Sequence, residues 1–256
     1  MKRYLIALFA VVCAVQSSAN AVQPCTDDIE TLAECPLEGC GPARVDGKLN
    51  EQKNITIAPE GPAELMTIDE LKELKNPSAG RFRSDNRDRT VLKEMGEGKK
   101  IMVVAWLLTV RRGGLESCNC KTDPPGSQSE KMLMRDNHMV LVDPTLRNPT
   151  LRRNEAHSVA AEFTPRVKPD HANFGRAKLN PLIDENWTES DNNPTGKLKV
   201  RMTGILMFDS EHYFGTPLKR ENDWEIHPVF KVEYCPEDET CTGESDENWV
   251  DLDSID

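Results

Sequence analysis

Three of the five histidines in the chain stand beside carboxylates at the ends of apolar, strand-like runs: Asp136-Asn-His138, Asp209-Ser-Glu-His212 and Trp224-Glu-Ile-His227-Pro. Imidazole next to carboxylate can shuttle a proton, hold a metal or orient a ligand. As metal donors, His138, His212 and His227 suit a divalent ion, zinc or calcium, and leave Glu162 or Glu225 as general base toward metal-bound water. That combination describes a metal-dependent hydrolase of phosphodiesterase or nuclease type. A calcium-dependent variant uses Asp136, Glu162 and Asp209, with an arginine against the phosphate. Without any reaction, Glu116, Asn119, Asp136, Asp209 and Trp224 offer hydrogen bonds and a ring to a small-molecule or anionic ligand. The spacing is neither that of a zinc finger nor H-E-x-x-H, so the metal reading depends on these residues meeting in space.

Each residue also has an ordinary structural role open to it. His138 can rest on a backbone carbonyl, His212 can cap a turn, and His227, followed by Pro228, can stack on Trp224. Asp209 can accept turn amides, and Glu116 or Glu162 can pair with an arginine. His157 and His171 lie in polar connecting stretches and read as solvated.

Five apolar runs must position these groups. Lys100 to Val110 is long and rich in β-branched and aromatic residues, and Gly113-Gly114 ends it; His138 to Val142 and Val159 to Phe163 are shorter. Leu198 to Phe208 carries Gly204 inside it, and Ile226 to Tyr234 alternates, with Ile226, Phe230, Val232 and Tyr234 on one face. Asn173 to Ile183 predicts a short helix between the third and fourth runs, limited by Pro181. This order predicts a mainly β, OB-fold-like five-stranded barrel, and an interior glycine suits its closure. Successive antiparallel strands reverse direction, so every polar cluster is expected at one barrel pole.

Met1-Lys-Arg, the apolar run Leu5 to Val15 and Ala19-Asn-Ala21 read as a signal peptide over 1–21, which implies a periplasmic or extracellular protein. Behind it come a Cys-containing segment over 22–98 packing on the barrel, the barrel over 99–235 and an acidic tail over 236–256. The segment has one helix signal, the capping box Thr67-Ile-Asp-Glu70 followed by Leu71, Leu74 and Pro77. No later run is long and apolar enough to span a membrane.

Cys13 leaves with the leader, and an odd number of cysteines remains. Export favours disulfides: Cys235 can close on Cys241, and Cys25, Cys35 and Cys40 can pair locally. Neighbours two apart bridge poorly, so Cys118 and Cys120 either pair with that group or give a thiolate to a metal. The net charge is −11, and the tail holds acids from Glu237 to Asp256 with no Lys or Arg, which reads as a solvated, disordered end. Arg147, Arg152, Arg153, Arg166, Lys168, Arg176 and Lys178 bias the middle toward phosphates. With aromatics at 5%, stacking platforms are scarce and strong nucleic-acid binding is not expected.

Glu116-Ser-Cys-Asn-Cys120, Asp136-Asn-His138, Glu162-Phe-Thr-Pro165, Thr203-Gly204, Phe208-Asp-Ser-Glu-His212 and Trp224-Glu-Ile-His-Pro228 together resemble a group of uncharacterised secreted bacterial proteins with an OB-like barrel. Gly39-Cys-Gly41, Leu49-Asn50 and Lys53-Asn54 resemble the lead-in segment of that group. The resemblance implies a bacterial, exported origin and one domain, and it carries no activity. Three functions compete: a ligand- or metal-binding module, the metal-dependent hydrolase, and a structural, envelope-associated protein.

Overall fold

A computed structural model of the chain describes residues 22–25, 29, 31–42, 45–121, 135–215 and 219–255. The expected leader over 1–21, with Cys13, lies outside them. The strands are β1 (Glu64–Met66), β2 (Lys100–Arg112), β3 (Asn137–Val142), β4 (Val159–Phe163), β5 (Leu198–Phe208), β6 (Trp224–Tyr234) and β7 (Val250–Asp251). β2 is long enough to serve two neighbours, pairing antiparallel with β5 over Lys100–Leu107 and with β3 over Trp106–Arg112. β3 pairs antiparallel with β4, β4 parallel with β6, and β6 antiparallel with β5. Five strands thus close into a mixed barrel whose order is the one expected of an OB-like fold.

Alternation fills the inside. Ile101, Val103, Met139, Phe163, Met202 and Ile226 all belong to one buried core, which the helix Arg176–Ile183 joins through Leu179 and Ile183. Pro181 sits within that helix rather than ending it. Gly204 marks a register shift on either side of itself, and a Cβ there would lie 2.5 Å from Ile226 Cγ2 and 2.7 Å from the Pro228 carbonyl oxygen. β6 spends extra residues opposite this bulge, which corrects the expected alternation. Ile226, Val229 and Val232 face the core, while Phe230 and Tyr234 are only partly buried.

The segment ahead of the barrel forms helices α1 (Gly47–Lys53), α2 (Ile68–Glu73) and α3 (Thr90–Glu94), and β1 runs parallel to β2. Both hydrogen bonds of the Thr67–Glu70 capping box form, and Ile68 and Leu71 are buried. Asp46 caps α1 by accepting from the amides of Lys48 and Leu49. Disulfides join Cys25 to Cys40, Cys35 to Cys120 and Cys235 to Cys241, leaving Cys118 free and buried.

The acidic tail, expected to be a solvated end, is anchored at a few points while Glu237, Asp238, Glu239 and Asp246 stay exposed. β7 pairs with β6, Leu252 is buried, and Arg201, itself held by both oxygens of Glu233, takes Asp246 at 2.8 Å. His171, expected to be solvated, stacks on Phe174 and lies 2.6 Å from Asp253. No helix among the described residues is long and apolar enough to cross a membrane.

Because Gly204 faces backbone as well as a side chain, Gly204→Ala is expected to destabilise the fold by about 1–3 kcal/mol. Urea unfolding with an unchanged m-value checks this, and a midpoint equal to the parent's would reject the bulge as a packing requirement.

Candidate functional site

The period of two that buries the core also presents the polar residues. Ala161 and Phe163 enter the core, so Glu162 between them points away; Trp224 and Ile226 enter it, so Glu225 and His227 point away; Met139 enters and His138 does not. His138 is paired directly opposite Glu162, and the parallel pairing of Ala161 with Ile226 brings His227 alongside Glu162 one step further on. The groups therefore gather at one end of the barrel, as expected. They leave from its outer face rather than from its mouth.

The segment before the barrel roofs that face. α1 packs on β6 and on the short turn Ser117–Asn119. Lys53 Nζ lies 2.7 Å from Glu116 Oε2, and Asn54 Nδ2 donates to the Cys118 carbonyl at 2.7 Å. Gly39, at φ 67°, lets the chain approach: a Cβ there would lie 2.1 Å from the Ser117 carbonyl oxygen. This roof explains how Glu225 and His227 are buried on a face the barrel itself leaves open. At the same end of the barrel lies a cleft of about 310 Å³. Glu116, Asp136, Glu162 and Asp209 line it together with His138, His212 and the guanidiniums of Arg111, Arg112 and Arg220.

A chain of ion pairs runs through the site. Glu162 Oε1 is 2.5 Å from His138 Nδ1, and its Oε2 is 3.4 Å from His227 Nδ1. His227 Nδ1 is also 3.2 Å from Glu225 Oε1, whose partner oxygen accepts from Arg220 at 2.7 Å. Arg220 continues to Asp209 Oδ2 at 3.3 Å, where His212 Nδ1 sits at 2.5 Å. Asp209 Oδ1 takes the amides of Glu211 and His212, capping the short helix Ser210–Tyr213.

Two buried atoms stand outside this chain. Asp136 Oδ1 accepts from Asn119 Nδ2 at 3.1 Å, but Asp136 Oδ2 and His227 Nε2 have no hydrogen-bond partner. Burial, with the charge of Glu116, pushes the Asp136 carboxyl well above the usual range. Burial also opposes charge on His227, yet its contacts with Glu162 and Glu225 outweigh that and hold it up to about 10. Glu162 is held well below its usual range, since its two imidazoles outweigh its burial.

Asp136, Glu162 and His227 each bring a ligand atom within 4.8 Å of the others, and so do Glu116, Cys118 and Asp136. Of the expected histidine trio only His227 belongs to one of these groups; among the described residues neither triad includes His138 or His212. Each of those rings gives its Nδ1 to a carboxylate, and the His212 side chain is 45% exposed. Trp224 is buried against Phe208 and its Nε1 donates to the Lys75 carbonyl. Glu225 is buried, does not line the cleft, and pairs with His227 and Arg220. Asn119 holds Asp136, and Asp209 spends both oxygens on protein groups.

Sequence reasoning missed Lys53, Arg111, Arg112 and Arg220. Arg111-Arg112 directly before Gly113-Gly114 was a readable signal at a strand end, whereas a single Arg220 in a polar link was not.

The raised His227 contributes stability that is complete below its ordinary value of 6.5 and is lost as pH rises through about 10. The raised Asp136 acts in the same direction, subtracting stability once pH passes the ordinary carboxylate value. With chelator present, the urea midpoint is expected to fall from about pH 7 to about pH 10, and less steeply in His227→Gln. A flat parent profile over that window would remove the assignment.

No family model matches the chain, and neither a curated protein nor a solved structure matches it.

Proposed function

We propose that this protein binds a divalent cation through Asp136, Glu162 and His227 and presents it, with nearby arginines, to a small oxyanion in the cleft. The observation that carries this reading is the pair of buried atoms, Asp136 Oδ2 and His227 Nε2, that find no partner in residues of one donor triad. Buried polar atoms are costly unless satisfied, and a cation would satisfy both. Binding there displaces the proton that Glu162 and Glu225 keep on His227. Its Nδ1 rests on Glu225, and a carboxylate behind the imidazole is the usual support of a ligating histidine.

The oxyanion enters the proposal through Arg112. This exposed side chain lines the cleft, meets no hydrogen-bond or ion-pair partner among the described residues, and lies in the field of Arg176 and Arg135. A guanidinium without a carboxylate partner is suited to a bidentate anion. Capture is favoured over hydrolysis because Glu162, the one proposed base that lines the cleft, is held ionised by two imidazoles and is a poor proton acceptor. Export is part of the same proposal: three disulfides fit an oxidising compartment.

Calorimetric titration of chelator-stripped protein with manganese or zinc tests the cation. Asp136→Asn is expected to weaken binding at least about 100-fold, and Glu225→Gln about 10- to 100-fold. His212→Ala is expected to leave it within about twofold, since that ring belongs to neither triad. Inorganic phosphate should then bind the loaded protein only, and more weakly in Arg112→Ala. Equal cation affinity in the parent and Asp136→Asn would refute the site.

A further inference from the structure

We propose a second cation position beside the first, formed by Cys118, Glu116 and Asp136 and suited to a thiophilic divalent ion such as zinc, with Asp136 shared between the two. This rests on the reading of the first position given above. Three observations support it.

The first is the company Cys118 keeps. A buried free cysteine ordinarily packs as a small apolar side chain. Here the thiol is wholly buried, yet its Sγ lies 3.5 Å from Glu116 Oε2 and within ligand range of Asp136. The other described cysteines are all in disulfides, so this one is the odd thiol, set against carboxylates.

The second is the unsatisfied oxygen. Asp136 is 1% exposed, belongs to both donor triads, and leaves Oδ2 without a partner. A carboxylate has two oxygens, and one shared between adjacent cations is a recurrent arrangement of paired sites. Asn119, fixed in the same short turn as Cys118, orients it through Oδ1.

The third is charge and rigidity. A thiolate and Glu116, with the shared Asp136, supply negative charge for a divalent ion, and Lys53 on Glu116 Oε2 offsets part of it. Cys118 is held by the Asn54 hydrogen bond to its carbonyl and by the bridge from Cys120 to Cys35 two residues on. Thiolate with carboxylate favours a borderline, zinc-like ion over calcium or magnesium.

Cobalt(II) reports both count and ligand type. Chelator-stripped protein, with its single thiol verified as reduced, is loaded with cobalt and measured by elemental analysis and near-ultraviolet absorption. The expected result is two ions per chain with a thiolate-to-cobalt charge-transfer band. Cys118→Ser should keep one ion and lose the band, whereas Glu162→Gln with His227→Gln should keep one ion and the band. One ion per chain without the band overturns the second position, as does a band that survives Cys118→Ser, whereas one ion with a band lost in Cys118→Ser keeps the thiol position and overturns the first. If the parent holds one ion that needs Glu162 and His227, the first position stands alone. If it holds none, both fall. Should Cys118→Ser fail to fold, the parent's count and band still decide.

Discussion

The outer face of β3, β4 and β6 carries ionisable side chains, and the segment before the barrel seals much of that face from water. That sealing sets the terms for everything around it, because a charge removed from water must be paired, hydrogen-bonded or neutralised. Glu162 is met by two imidazoles, Glu225 by His227 and Arg220, and Asp209 by amides, His212 and Arg220. Asp136 receives one side-chain amide and keeps an oxygen idle. Within this network Asp136 Oδ2 and His227 Nε2 are the two atoms left without a hydrogen-bond partner.

The same rule explains the chain's charge distribution. Asp246, Asp251 and Asp253 of the tail meet Arg201, Lys231 and His171, with Trp249 laid against the Arg201 guanidinium. Several basic residues of the middle stretch are likewise engaged internally. Arg166 donates to the carbonyls of Leu32 and Cys35, Lys168 to that of Arg135, and Arg176 to that of Asp191. These three residues thus fasten neighbouring backbone segments.

Much of the barrel was legible because strand signals are local. β-branched runs bounded by turn residues gave β4 and β5 their limits and β2, β3 and β6 theirs within two residues. The gathering of His138, Glu162 and His227 was legible too, since it follows from strand reversal. What alternation could not supply was the side from which the groups emerge, which depends on what covers the face. That information lies in α1, whose Asp46 cap precedes a glycine and a short helix with little apolar periodicity. It lies also in Gly39, whose need for a positive φ appears only against the Ser117 carbonyl. Phe230 and Tyr234 were misplaced for a related reason: a glycine announces a bulge without saying which strand absorbs the extra residue.

The bond between Cys35 and Cys120 joins the roof of the site to the loop that leaves β2, across a sequence separation of 85. Floor and roof are thus separate pieces of chain held by an oxidation event. A molecule kept under reducing conditions retains the barrel's floor but has its ceiling untethered, so Asp136 and His227 lose the enclosure that keeps water from competing for their free atoms.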